Sequence, residues 1–330
     1  MNPPFDGYRG VLAATDFSGH GLAALRRAAW VAQQSCKRLV ASHVVADLRK
    51  AVHHTSYRSR IEFLEGSEEH FQRELRREAD NQLKQQIASL GSTGIEAKYE
   101  TLLGEPYEEL IHSVQQEGYD LVVAGTRGHG AIKSLVLGST AKRLIRNCPS
   151  SVWIVQDKEI KPPAKILAAV DLSEVSRLAL DQAIWVAQRA GADLHILHVI
   201  ESMGLSADLL DRNVAGPPTK SLRKLIETEV LQQFDQFVSL AARDSVTTTT
   251  HYMWGSPTYD VIRMAHELRA DLIVVGTVGR RGVEGLLLGN TAESVLTHCD
   301  CDVLTVKPAD FVSPVKPASW PLHPGPERKG

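Results

Sequence analysis

The same series of motifs occurs twice in this sequence, and the repeat constrains the fold more than any other feature. Residues 11–18 align with residues 166–173, at an offset of 155 positions. From Gly104 and Gly255 onward the offset becomes 151, and it holds to the end of each copy. The two halves are therefore homologous and differ by a net deletion of four residues. A chain of 330 residues is long enough for two such domains, each with its own hydrophobic core.

Within each copy, short apolar runs alternate with amphipathic helical patterns. In the first copy, five apolar runs are typical of strands: residues 11–15, 39–45, 95–103, 120–125 and 151–155. One helix is predicted after Ser18, a suitable N-cap, and another from Pro106, because proline's missing N–H is no loss in a first turn. Further helices are predicted at about residues 67–90 and 139–147. This alternation predicts a parallel sheet covered by helices on both faces.

Each copy carries a glycine-rich loop between its fourth strand and the following helix. Two glycines lie three residues apart and a third follows nine intervening residues: Gly125, Gly128 and Gly138 in the first copy, Gly276, Gly279 and Gly289 in the second. Short polar residues open the next helix: Ser139 and Thr140 in the first copy, Asn290 and Thr291 in the second. Open α/β sheets bind ligands beside such loops, and free N–H groups at a helix start favour an anion. The loop therefore predicts a phosphate site, with a simple chain-reversing turn as the alternative.

The loop differs from two common phosphate-binding motifs. Gly125 and Gly130 have the interval of a P-loop, but Ala131 stands where that motif requires lysine. The dinucleotide fingerprint would follow the first strand of its domain, whereas this loop follows the fourth. A nucleotide site here would therefore be of another kind.

Composition excludes several classes of protein. The net charge is −2, and the chain lacks the basic stripe that is typical of nucleic-acid binding. It has no apolar run of about 18 residues and no signal-peptide pattern at its start, so the sequence predicts a cytoplasmic protein without a membrane span. Neither the Cys299-x-Cys301 pair nor the scattered histidines have the spacing of a metal site, so no metal ligand is predicted.

The predicted domains are residues 1–158 and 159–310, joined by a polar stretch. Residues 311–330 contain five prolines and no apolar period, which predicts a disordered tail. Two segments, residues 46–62 and 201–220, separate the second strand of each copy from its long helix. Loops of that length are usually functional or mobile.

The motifs of both copies resemble those of the universal stress protein family. Asp16 follows the first strand, His43 and Val44 end the second, and the G-x2-G-x9-G-Ser motif follows the fourth. Two such domains in one chain resemble the tandem members of the family, the E type in particular. The likeness extends from about residue 8 to residue 310. It implies two Rossmann-like domains, each with a five-stranded parallel sheet of order 3-2-1-4-5 and helices on both faces.

The resemblance also implies a stress-response regulatory protein that binds ATP, ADP or AMP, with Mg²⁺ as the accompanying ion. In the first domain Asp16 would accept a hydrogen bond from the adenine amino group, and Val44 would line the base. The loop and helix start would bind ribose and phosphates through their N–H and hydroxyl groups: Gly125, Gly128, Gly138, Ser139 and Thr140. Asp16 has an alternative role as a helix cap together with Ser18.

The second copy keeps most of the equivalent residues: Asp171, Val199, Gly276, Gly279, Gly289 and Thr291. It departs from the motif at Asn290, which replaces the expected serine or threonine. The Asn290 side chain is expected to cap the helix N–H groups in competition with phosphate. The first domain is therefore the better candidate site, and Asn290→Ser is expected to strengthen binding in the second.

Two functions are open at this point. The first is the nucleotide-binding regulator with at most slow hydrolysis, since no nucleophile–base pair stands beside the loop. The second is a non-enzymatic scaffold whose degenerate pockets leave it to bind unknown protein partners or a hydrophobic ligand. The two domains are expected to form an intramolecular pseudo-dimer through their fifth strands, residues 151–155 and 302–306, and a homodimer is a further option.

Overall fold

The computed structural model describes residues 5–35, 38–47, 68–91, 94–126, 137–156, 160–201, 222–239, 246–278 and 288–317. These residues form two compact units. The first unit is built from the described residues within 7–161 and 310–330. The second unit is built from those within 1–6 and 162–309.

The first unit is a five-stranded sheet with four helices among its described residues. Its elements in chain order are β1 (Val11–Ala14), α1 (Gly19–Gln34), β2 (Arg38–Val45), α2 (Glu68–Ala88), β3 (Glu96–Leu103), α3 (Pro106–Glu117), β4 (Leu121–Gly125), α4 (Ser139–Asn147) and β5 (Ser151–Val155). The strand order is β3-β2-β1-β4-β5, and all pairs are parallel.

The second unit repeats this arrangement. Its elements are β6 (Lys165–Val170), α5 (Glu174–Ala190), β7 (Asp193–Ile200), α6 (Leu222–Ser239), β8 (Thr248–Trp254), α7 (Pro257–Leu268), β9 (Leu272–Gly276), α8 (Asn290–His298) and β10 (Asp302–Val306). The strand order is β8-β7-β6-β9-β10, again all parallel. The predicted fold class, two Rossmann-like domains with sheets of order 3-2-1-4-5, is therefore confirmed.

The central strands of each sheet are apolar along almost their whole length. In β4 and β9 four consecutive residues are buried, because helices cover both faces of a parallel sheet. Cys148 and Cys299 precede the last strand of each unit, and both are buried. No described helix is both long and apolar enough to cross a membrane.

Each end of the described chain belongs to the unit formed by the other half. Phe5 packs edge-on against Trp185 in the second unit, with ring centroids 5.9 Å apart. Residues 311–317, part of the tail predicted to be disordered, are hydrogen-bonded within the first unit, for example from Ser313 Oγ to the Asn147 carbonyl at 2.7 Å. The rest of that tail and most of the two long loops lie outside the described residues.

Candidate functional site

In the first unit, the predicted adenine and loop residues are found at the carboxyl ends of three neighbouring strands. Ala14 at the end of β1 pairs with Ser42 of β2 on one side and with Ala124 of β4 on the other. Asp16, Val44 and Gly125 follow these three residues by one or two positions. The chain leaves β1 toward β2, while β4 joins the sheet on the opposite side. This is the switch point at which open parallel sheets bind ligands.

The glycine loop of each unit begins and ends at this edge. Gly138 N–H donates to the Thr126 carbonyl at 2.8 Å, and Thr126 N–H donates to the Val155 carbonyl at 3.2 Å. In the second unit Gly289 N–H donates to the Thr277 carbonyl at 2.6 Å. The two ends of each loop are thus joined directly beyond β4 and β9. Gly128 and Gly279 lie outside the described residues, so their predicted roles stay predictions.

The helices after the loops begin at N-caps without a side chain. Gly138 and Gly289 are the N-caps of α4 and α8, with φ/ψ of −60°/155° and −77°/155°. Ser139 and Asn290 are the first helical residues, and both are exposed. The prediction that Asn290 caps this helix is wrong, because the N-cap, whose side chain reaches the next N–H groups, is one residue earlier. Both helix starts therefore present first-turn N–H groups that no N-cap side chain occupies.

Asp16 supports the start of α1, and Asp171 does the same for α5. Asp16 Oδ1 accepts from Ser18 N–H at 3.1 Å and from Ser18 Oγ–H at 2.6 Å, and Ser18 Oγ accepts from Gly21 N–H at 3.1 Å. The second unit repeats these contacts between Asp171 and Ser173, at 3.1 and 2.5 Å. The capping role that the sequence leaves as an alternative is present in both units. An adenine contact would have to coexist with it.

The residue between each aspartate and its serine has a strained backbone. Phe17 has φ of 67° and Leu172 has φ of 65°, in the left-handed region that residues other than glycine and asparagine rarely adopt. Such a conformation costs about 1 to 2 kcal/mol per residue. In the first unit Thr15 Oγ1 accepts from Phe17 N–H at 3.1 Å, which helps to hold the turn. The strain recurs at equivalent positions in the two units, so we attribute it to the turn that positions the aspartate carboxylate at the strand end.

His43 is a site residue to which the sequence assigns no role. Its Nδ1 lies 2.8 Å from the Thr15 carbonyl, and its ring centroid lies 4.1 Å from that of Phe17. Burial lowers the pKa of His43, against smaller raising effects of the Thr15 carbonyl and Asp16. The ring is therefore neutral at pH 7. Because a carbonyl only accepts, Nδ1 carries the proton and Nε2 is an acceptor.

The same histidine geometry occurs in the second unit. His198 Nδ1 lies 2.8 Å from the Val170 carbonyl, and its ring packs against Phe234 at 5.7 Å between centroids. The recurrence of His-Val at the end of the second strand is the signal in the sequence that could have identified this residue. Its partner is a backbone carbonyl, which a side-chain pattern does not reveal.

Gly125 is needed for close packing between β4 and α1. A Cβ atom at this position would lie 2.8 Å from both Cβ and the carbonyl oxygen of His20 in α1. A contact that short requires the helix backbone to move. The equivalent Gly276 is less constrained, since its Cβ would meet a side-chain methyl of Val175 at 2.9 Å. Glycine at the end of β4 is thus required for α1 to pack against the sheet.

Comparison with known proteins identifies the family. The sequence model of the Universal stress protein family matches residues 7–156 and 163–307. Universal stress protein E of Photorhabdus laumondii is 26% identical over 330 residues, covering 94% of this chain and 98% of the relative. Universal stress protein E of Escherichia coli K12 is 28% identical over 223 residues, covering 64% of this chain and 68% of the relative.

Solved structures show the same fold along nearly the whole chain. A Pseudomonas aeruginosa protein described as functionally unknown has a TM-score of 0.64 at 22% identity, covering 92% of this chain and 94% of that one. A universal stress protein from Archaeoglobus fulgidus has a TM-score of 0.57 at 22% identity, covering 91% and 98%. The two matched segments, the two sheets of order 3-2-1-4-5 and these likenesses lead to one conclusion: the chain belongs to the universal stress protein family and carries two of its domains in tandem.

Proposed function

We propose that this chain is a stress-response regulatory protein that binds ATP, or ADP or AMP, at the carboxyl edge of the first unit's sheet. One observation carries the proposal. The start of α4, which has no capping side chain, is held by the Gly138–Thr126 hydrogen bond at the end of β4, beside the end of β1. Phosphate is the natural ligand of such a helix start, because it accepts from the free N–H groups and favours the positive end of the helix dipole.

The described residues fit the rest of a nucleotide. Asp16 lies at the adjoining strand end, and a carboxylate offers about four acceptor sites, so the two bonds from Ser18 do not exclude an adenine amino group. Neutral His43 adds a second acceptor type at the same edge. Val44 supplies an apolar wall, and Ser139 and Thr140 would add hydroxyl donors to the phosphate end.

Magnesium would come with the phosphates rather than from a protein site. No group of three or more histidine, cysteine, aspartate or glutamate side chains that could hold a metal is present in the described ranges. The nucleotide's own phosphate oxygens are suitable Mg²⁺ ligands. We assign no catalytic residue. The protein is expected to hydrolyse the bound nucleotide slowly at most.

The scaffold function is the second candidate, and one observation favours it. Asp16 and Asp171 both hold the serine N-cap of the following helix, so both carboxylates have a structural role without any nucleotide. If that role is their only one, the pockets are degenerate and the protein binds other partners. The two candidates differ in whether the first unit binds adenine nucleotide at all.

Calorimetric titration of the full chain with ATP, ADP and AMP tests the proposal. We expect micromolar binding of ATP or ADP, abolished by Gly128→Val, because a β-branched side chain would obstruct the phosphates and disfavour positive φ. The matched variant Gly279→Val changes the equivalent glycine of the second unit and should leave this binding intact. Circular dichroism confirms folding of both variants. Absence of heat at millimolar ATP, or equal binding by wild type and Gly128→Val, would reject the proposed site.

A further inference from the structure

Two histidines form a pair in the second unit, away from the glycine loops. His195 Nδ1 on β7 lies 3.0 Å from His251 Nε2 on β8, and the ring centroids are 5.2 Å apart. In the register of these strands His251 pairs with Leu197, so the two histidines are diagonal neighbours on one face of the sheet. One ring must donate to the other at this distance, and a single proton lies between the two nitrogens.

The first unit shows that the fold does not need imidazoles at this place. Ser42 pairs with Glu100 in the first unit, as Leu197 pairs with His251 in the second. Glu100 therefore occupies the position of His251, and Val40 occupies that of His195. Glu100 is only 6% exposed, and it accepts from Ser42 Oγ and from Ser113 Oγ, each at 2.7 Å. In the first unit, the buried Glu100 carboxylate thus has hydrogen-bond donors from within the unit.

The second unit replaces that closed arrangement with an accessible one. Leu197 and Met264 stand at the positions of the two serines, so neither offers a hydroxyl to His251. His195 and His251 are both half-buried, which leaves a path for an ion from solvent. The polar partner of each imidazole is therefore the other imidazole, and both are good ligands for transition metals.

The protonation state suits metal binding. Burial lowers the pKa of both histidines, and the proximity of His251 lowers the pKa of His195 further. Of the charged groups that face the pair, Asp193 raises the pKa of His195 and Lys165 lowers it. Lys165 Nζ also donates to the Leu268 carbonyl at 3.3 Å, at the end of α7. Both rings are neutral at pH 7, so a cation requires a change of tautomer in the donating ring and no loss of a proton from a charged imidazolium.

We propose that His195 Nδ1 and His251 Nε2 chelate a divalent transition-metal cation of the Cu²⁺, Ni²⁺ and Zn²⁺ class. Two nitrogens on a tetrahedral zinc, at about 2.0 to 2.1 Å each, stand about 3.3 Å apart. The pair therefore has to open by a few tenths of an ångström and tilt. The donating ring loses the proton between the two nitrogens to water and takes up a proton at its other nitrogen, so both facing nitrogens are free to bind the metal and both rings stay neutral. Water completes the coordination, because the described residues hold no group of three ligands. Cu²⁺ binds most tightly among these ions to a given nitrogen site.

Titration of the full chain with Cu²⁺ and Zn²⁺ tests the proposal. We expect one site per chain that His195→Gln or His251→Gln weakens at least about tenfold, because the second imidazole binds with a high effective concentration. His195→Val, which places the first unit's residue at this position, should have the same effect. Controls are His298→Gln, which changes an exposed histidine outside the pair, and His53→Gln with His54→Gln, which removes the adjacent pair of the sequence. Neither control should weaken the site.

Electron paramagnetic resonance of the wild-type chain, loaded with half an equivalent of Cu²⁺, gives a second readout that does not depend on a variant's folding. The proposal requires hyperfine coupling to two imidazole nitrogens. Coupling to one nitrogen, or unchanged affinity and stoichiometry in the chain with both His195→Gln and His251→Gln, would overturn it. Mg²⁺ serves as the negative control, since it prefers oxygen ligands and should not bind to the two imidazole nitrogens.

Discussion

At the scale of single residues, the aspartate after the first strand of each unit connects two requirements. It holds the serine that caps the next helix, and under the proposed function it also accepts a hydrogen bond from the adenine amino group. A carboxylate has enough acceptor sites for both. The strained residue between aspartate and serine, Phe17 or Leu172, keeps the carboxylate in place before any ligand arrives. Pre-positioning of this kind reduces the ordering cost of binding.

The capping contacts lead to a stability prediction. Ser18→Ala and Ser173→Ala should each lower the free energy of unfolding of their own unit by about 1 kcal/mol, because each removes the N-cap bond of a long helix. Ser239→Ala is the matched control, since that exposed hydroxyl donates to the Gln236 carbonyl of its own helix and caps no helix start. Urea unfolding measures the difference. Losses of the same size at Ser239 and at the two caps would show that capping is not the cause.

At the scale of elements, short-range sequence signals predict several helix and strand boundaries. The bounds of α4 and β5 agree with the predicted residues 139–147 and 151–155, because a glycine precedes the helix and polar residues separate the two elements. The N-cap of α1 at Ser18 and the proline in the first turn of α3 were equally predictable. Each of these features depends on residues close together in the chain.

The candidate site was only partly predictable, for a physical reason. The sequence placed Asp16, Val44 and Gly125 at strand ends, and the parallel register then brought those ends together. It did not predict that a side chain at position 125 would collide with His20, since that collision depends on how closely α1 packs against β4. The pairing of His195 with His251 likewise depends on the register of two strands that are 56 positions apart.

The first turn of α4 gives a prediction at the element scale. Gly138→Asp should add the side-chain cap that this helix lacks and should place a negative charge at its positive end, raising stability by about 0.3 to 1 kcal/mol. The same carboxylate would repel phosphate and occupy its donors, so ATP affinity should fall at least about tenfold. Gly289→Asp makes the equivalent change in α8 and should leave the ATP affinity of the first unit unchanged. Calorimetry and thermal unfolding of both variants measure the two effects.

Unchanged ATP affinity in Gly138→Asp would mean that the start of α4 does not bind the phosphates.

The lower ATP affinity predicted for the second unit stays a prediction, but its cause is revised. Asn290 is not the N-cap, so we now attribute the expected difference to the hydroxyl that Ser139 has and Asn290 lacks. Asn290→Ser still tests the hydroxyl directly.

At the scale of the whole molecule, the tail after the second domain belongs to the first unit. Two side chains of α3 bond to its backbone: His112 Nε2 lies 3.1 Å from the Lys316 carbonyl, and Gln115 Nε2 donates to the Val315 carbonyl at 3.1 Å. Ser313 Oγ donates to the carbonyl of Asn147, the last residue of α4. The prolines of this segment give up N–H donors, but these contacts use its carbonyls and one side chain. The apolar periodicity of the sequence therefore does not reveal that this segment is ordered.

The pairing of the two domains through their fifth strands stays a prediction.

Removal of the tail tests whether it stabilises the unit that carries the proposed nucleotide site. A chain ending at Ala309 should lose about 1 to 3 kcal/mol of first-unit stability, because three hydrogen bonds worth about 1 kcal/mol each are removed. Hydrogen exchange should then quicken in α3 and at the end of α4, while residues 162–309 stay unchanged. A chain ending at Pro317 keeps these contacts and is the control. If exchange in α3 is equally slow in both truncated chains, the tail only rests on the surface and contributes nothing to the first unit.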